Sequence, residues 1–163
     1  MTGQELQEQI DTIADGPELV VAAAAGADDR TLGYKPSPDK WCILEILGHL
    51  ADIEVLYGYR MRQMMADKEA VIAPIDQDDW ARNLGYMEAK PAELLEAYQA
   101  ARRANVRLLR RIKSADLDTK GAFHPEKKRK VTLGELIGMM AGHDPNHAGQ
   151  IERLKQQAES ARP

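Results

Sequence analysis

Apolar residues recur at three- and four-residue intervals over four long stretches of the chain, the spacing of a helix with one inward face. The first stretch covers roughly Gln4 to Ala25. Asp15-Gly16-Pro17 falls inside it and reads as a breaker, which allows two shorter helices in place of one. A proline-bearing loop from Gly33 to Asp39 follows, and Asp39 is placed to cap a second helix from about Lys40 to Ala66. Pro91 opens a third helix ending near Ser114, at the one helical position where its missing N–H costs nothing. Thr132, with Glu135 three residues later, forms a capping box for a last helix reaching about Glu159.

The connections between these stretches are long. Asp67 to Lys90 holds a short helix around Trp80 to Tyr86, and Ala115 to Val131 carries Gly121, His124 and Pro125. Such lengths argue against tight up-and-down turns and suit a crossover that leaves neighbouring helices parallel. The expectation is an all-α, four-helix bundle with long crossover connections, a single domain over residues 1–163. Composition agrees: only 5% of residues are aromatic, while helix-favouring side chains are frequent.

Charge and cysteine usage narrow the classes. A net charge of −4 lacks the basic footprint of a nucleic-acid binder. The run Lys127-Lys128-Arg129-Lys130 reads as a solvated loop, and Arg102, Arg103, Arg107, Arg110 and Arg111 as a solvated helix face with at most one member turned inward. One cysteine, Cys42, excludes an intrachain disulfide framework and reads as a small buried residue. Leu19 to Ala25 is too short for a membrane span and reads as a buried helix segment. No basic-then-apolar leader opens the chain, so a cytoplasmic protein with no membrane partner is expected.

Chemistry enters through the histidines. His143 and His147 lie four residues apart, one turn on one helix face, beside Leu136, Met140, Gln150 and Leu154. His49 lies on the second helix in a stripe with Glu45, Asp52, Leu56 and Arg60. Imidazoles from two packed helices can form a metal site with open coordination positions. The bland alternative is a set of core histidines satisfied by hydrogen bonds. Glu45 and Asp52, one turn either side of His49, are candidates to orient an imidazole, to ligate, or to act as a general base; a hydrogen bond to an arginine of another helix is the alternative. Gly48 permits close approach of a neighbouring helix beside His49. His124, before a proline in a loop, is left outside the site. Pro145, between the two histidines, predicts a kink or a new helix start.

The ordered set Lys35-Pro36-Ser37-Pro38-Asp39-Lys40-Trp41, Glu45 to Glu54, Asp79-Trp80, Tyr98 to Arg103, Phe123-His124-Pro125, Val131-Thr132-Leu133 and His143 to Ile151 resembles the DinB-like (DinB/YfiT) superfamily over nearly the whole chain. The resemblance implies a crossover four-helix bundle, often a homodimer, with zinc or nickel held by His49, His143 and His147. It implies either a hydrolase acting on a small molecule with metal-activated water, or a transferase that uses a low-molecular-weight thiol. The alternative is a non-catalytic, stress-associated metal-binding bundle. Cys42 stands where the family commonly has serine, Pro145 is unusual between the ligand positions, and Glu126 to Lys130 replaces a glycine-containing turn.

Overall fold

The computed structural model describes residues 2–162. Its long helices are α1 (Gly3–Ala24), α3 (Ile43–Ala66), α5 (Pro91–Leu109) and α7 (Leu133–Ser160), with one-turn to two-turn helices α2 (Asp29–Leu32), α4 (Gln77–Asn83) and α6 (Asp116–Thr119) between them. The capping signals at Thr132 and Pro91 act as expected, and α1 starts on a further capping box at Thr2. Thr2–Glu5 and Thr132–Glu135 form reciprocal capping boxes, and Pro91 occupies the first turn of α5.

α3 begins later than the Asp39 cap predicts. The chain turns once more through Ser37 to Lys40, and Cys42 becomes the cap, its N–H donating to Glu45 Oε2 at 2.9 Å. The third helix likewise stops earlier, at Leu109 rather than Ser114.

Two core clusters, one toward each end of the bundle, give the helix directions. The first gathers Leu6, Ile10 and Ile13 of α1, Tyr57, Met61 and Met64 of α3, Val106 and Leu109 of α5, and Leu133, Leu136 and Met140 of α7. The second gathers Val20 and Ala23, then Ile43, Leu47 and Leu50, then Tyr98, then Ile151 and Leu154. Helices α1 and α7 therefore run from the first cluster to the second, and α3 and α5 run back. Side-by-side packing joins α1 to α7, α3 to α5, α1 to α5 and α3 to α7. Two neighbouring pairs, α1/α7 and α3/α5, are parallel, which is the crossover bundle the connection lengths suggested.

Only one of the two long connections makes a parallel crossover. Residues 67–90 return along α3 from its end to its start. The other links the diagonal, antiparallel pair α5 and α7, and it is not purely helical. Strands β1 (Gly121–His124) and β2 (Arg129–Thr132) form an antiparallel hairpin in register Gly121↔Thr132 to His124↔Arg129. The Ala70–Ile72 segment bonds to its outer edge through Phe123 N–H to Ala70 O and Ile72 N–H to Phe123 O, both 2.8 Å. A four-residue hairpin is marginal alone; here Ala122 and Val131 are buried under α3 and α7.

The first helix corrects a second expectation. Asp15-Gly16-Pro17 does not divide it; α1 runs unbroken with Pro17 inside. Proline removes the N–H that would reach the Ile13 carbonyl one turn back. That carbonyl instead accepts a 2.5 Å hydrogen bond from Arg102 Nη1 of α5. The helix survives because a residue distant in sequence supplies the missing donor. α7 likewise continues through Pro145 without a second start. The apolar run Leu19 to Ala25 is only half buried: Val20 and Ala23 face the core, while Leu19 and Val21 are exposed.

Candidate metal centre

His49 of α3 and His143 and His147 of α7 meet in the interior between the two antiparallel helices. Candidate ligand atoms of all three lie within 4.8 Å of one another, and His49 Nε2 is 3.2 Å from His143 Nε2. Two nitrogens bound to one tetrahedral metal at about 2.0–2.1 Å lie about 3.3 Å apart. The spacing thus fits a shared cation, and in the metal-free protein it serves as a hydrogen bond from one ring to the other. His147 and His143 stack edge to face with centroids 4.5 Å apart, so the kink expected at Pro145 leaves both rings on one face.

The rings are held from behind. Trp41 packs on His49 at 4.8 Å and donates its indole N–H to Asp78 Oδ1 at 2.9 Å, which ties the ring to the crossover connection. Tyr57 meets His143 edge-on at 5.8 Å. Gln150 Oε1 lies 3.0 Å from His147 Nδ1. An amide oxygen only accepts, so Nδ1 carries the proton and Nε2 keeps its lone pair toward the cluster. This is the arrangement by which proteins fix the tautomer of a metal-binding histidine.

Burial decides the charge of the cluster. It pushes the pKa of His49 down to about 3, with the neighbouring imidazoles adding to the effect, and that of His143 down to about 4. His147 is lowered by burial too, partly offset by its bond to Gln150. All three are neutral near pH 7, the form that binds a cation. Among the described residues, this trio is a group that could hold a metal ion.

The two carboxylate candidates part company. Glu45 is consumed by structure: Oε1 accepts from Lys35 Nζ at 2.6 Å and Oε2 from the Cys42 N–H. Asp52 is half buried and accepts from the Tyr86 hydroxyl at 2.5 Å through Oδ2 alone. Tyr86 is a site residue the sequence reading missed. Its ring lies where a Cβ on Gly48 would be, so the close approach that Gly48 permits is made by a single 3-10 turn of the crossover connection, Tyr86–Glu88, and not by one of the long helices. Lone glycine beside a histidine was the available signal, but nothing local names its occupant.

Other residues fall where expected or outside. Cys42 is fully buried, and burial raises its thiol pKa. His124 sits on β1 and accepts from the Lys127 N–H at 3.4 Å, apart from the trio. Arg102 is the arginine turned inward. It is 3% exposed and pairs with Glu54 of α3 and Asp144 of α7. On the opposite side of the bundle, a groove of about 660 Å³ between α1 and α5 carries Arg103, Arg107 and Arg110 at its rim.

Known proteins share this architecture. The chain resembles a proposed metal-dependent hydrolase of Oceanobacillus iheyensis, 26% identical over 150 residues that cover 91% of this chain and 85% of the relative. It also resembles YfiT of Bacillus subtilis, likewise a proposed metal-dependent hydrolase, 22% identical over 151 residues covering 93% and 84% of the two chains. The solved structure of YfiT, described as a four-helix bundle of unusual topology, superposes with a TM-score of 0.89 over 96% of this chain and 89% of that one at 21% identity. No helix among the described residues is long and apolar enough to cross a membrane. The model of the DinB superfamily matches residues 12–151, and with that span the chain belongs to the DinB superfamily.

Proposed function

We propose that this protein is a metal-dependent hydrolase of a small molecule, holding one divalent ion, zinc or nickel, through His49, His143 and His147. The observation that carries the reading is the convergence of three neutral imidazoles, two buried and His143 partly so, with the Nε2 atoms of His49 and His143 3.2 Å apart and the tautomer of His147 set by Gln150. A divalent ion with three protein ligands and an open position acts as a Lewis acid and lowers the pKa of water toward 7. In this reading Asp52, one turn beyond His49 with one oxygen engaged by Tyr86, receives the proton. Trp41 and Tyr57 restrict solvent around the rings. The names of the relatives favour hydrolysis over thiol transfer.

Metal analysis of the purified protein tests the assignment. About one equivalent of ion per chain is expected, lost in each of His49→Ala, His143→Ala and His147→Ala with helical content retained. Unchanged metal content in all three variants would sink it. Turnover with water alone, against turnover only when a small thiol is added, separates hydrolase from transferase.

A further inference from the structure

The buried arginine and the histidine trio are not independent. Arg102 reaches all four long helices from one position on α5. Its Nε donates to Glu54 Oε2 on α3, its Nη1 donates to the Ile13 carbonyl on α1 and to Asp144 Oδ2 on α7, and its Nη2 donates to Asp144 Oδ1 at 3.1 Å. Asn105 completes the group by donating to the Glu54 carbonyl and Oε1, at 2.7 and 3.1 Å. Tyr98 lies under the guanidinium, 5.1 Å from ring centroid to Cζ. Gly16 is part of the fit: a Cβ there would overlap the Asp144 carboxylate and press on Arg102.

Two prolines give this group its meaning. Pro17 removes the donor for the Ile13 carbonyl, and Arg102 replaces it. Pro145 removes the donor for the Ala141 carbonyl, so the backbone ladder of α7 is interrupted inside the turn that carries His143 and His147. Asp144 is the residue between that proline and His143. Its two oxygens are gripped by the two Nη groups of Arg102, a planar fork that fixes direction as well as distance. The guanidinium thus braces α1 and α7 at the proline of each.

We propose that Arg102, acting through Asp144, is a positioning residue for the metal centre: it sets the rotation of α7 at Pro145, and so where His143 and His147 point. The inference rests on the three-histidine metal reading. Partners of this kind, behind metal ligands, typically alter metal affinity about 10- to 100-fold. A mere structural brace alters stability and leaves the site's affinity and spectrum in place.

The test is zinc affinity, by competition with a chromophoric chelator, together with the visible absorption of the cobalt-loaded protein. Asp144→Asn keeps the shape and loses the charge; Arg102→Lys keeps the charge and loses the fork. Both are expected to bind zinc at least about ten-fold more weakly and to change the intensity of the cobalt bands, with far-UV circular dichroism unchanged. Leu109→Ala, a core truncation on α5 one turn beyond Asn105 that removes none of the group's hydrogen bonds, is the control for loosening of the bundle and is expected to leave both readouts alone. Asp144→Asn with wild-type affinity and bands overturns the proposal, as does Leu109→Ala shifting them equally. If Arg102→Lys fails to fold, Asp144→Asn decides the question. Wild-type protein that takes up no cobalt removes the metal reading itself, and the positioning role with it.

Discussion

Two polar clusters lie inside this bundle, and they differ in whether their hydrogen bonds close. Around Arg102, four of five N–H groups have protein acceptors, Asp144 is gripped through both oxygens, and Asn105 and Arg102 together engage both oxygens of Glu54. Around His49, the three imidazoles all pack against one another, with one ring-to-ring hydrogen bond among them. A network whose charged groups are all partnered reads as architecture, and among its described residues only the buried Tyr98 hydroxyl is left without a hydrogen bond. An open one, made of neutral donors of electron pairs, reads as a place for a cation. Buried polar groups are common to both; the accounting of partners separates them.

The largest expected effect breaks the closed cluster. Arg102→Met leaves Glu54 and Asp144 buried without their cation and the Ile13 carbonyl without a donor. Removing one partner of such a group costs about 3–5 kcal/mol. Urea unfolding of the metal-free variant measures it, and a loss under about 1 kcal/mol would contradict the closed-network account. The histidines should behave in the opposite way: truncating His49 removes metal while changing metal-free stability far less.

That contrast also explains how much could be read in advance. The histidine pair is a local pattern, four residues in one helix, and His49 stands on a neighbouring amphipathic face. The capping box at Thr132 and the first-turn proline at Pro91 are local too, so their helix starts were legible. Arg102 looks like its neighbours Arg103 and Arg107 on the page, and only burial between helices distinguishes it. Pro17 reads as a breaker because its remedy comes from α5, 85 positions away by Arg102's numbering. The hairpin at Gly121–Thr132 was missed for a similar reason. Its strands are short and its turn is lysine-rich, and its stability comes from the edge contact with Ala70 and Ile72 and from burial of Ala122 and Val131. Tyr86 enters the site from the crossover connection, whose path no periodicity describes, and Trp41 from the loop before α3 is held there by Asp78 of that connection.

A middle-sized effect concerns pH. In the metal-free protein His49 and His143 sit at about 3 and about 4, against 6.5 for an unfolded histidine. As pH falls below 6.5 the unfolded chain takes up protons that the folded chain refuses, so unfolding becomes easier; stability rises with pH wherever the unfolded state binds more protons. Ordinary carboxylates join only below about pH 5, and Glu54, whose carboxyl burial pushes up, is common to wild type and His49→Ala, so the difference between the two over the interval from 6.5 to 5 isolates the histidine. The expected result is a midpoint of urea unfolding that is level above pH 7 and declines through that interval. His49→Ala should flatten the decline, and saturating zinc should raise the whole curve, because an ion that binds only the folded state stabilises it. An equal slope in wild type and His49→Ala would place the histidines in water rather than in the core.

The smallest effect sharpens the comparison at one atom. Gln150 Oε1 is an acceptor from outside the trio tied to one of its rings, 3.0 Å from His147 Nδ1. Gln150→Ala leaves that N–H to find water, and the ring becomes free to turn or to change tautomer, so Nε2 is no longer held toward His49. Zinc affinity should fall about ten-fold, with no change in unfolding midpoint beyond about 0.5 kcal/mol because Gln150 is only partly buried. Gln150→Glu gives the opposite test. A carboxylate accepts the same hydrogen bond more strongly and makes the imidazole a better donor of its lone pair, so affinity should match or exceed wild type. If alanine and glutamate weaken zinc equally, the side chain works by filling space. If alanine alone does so, the acceptor holds the ring, and the open cluster owes its direction to this bond as the closed one owes its to Arg102.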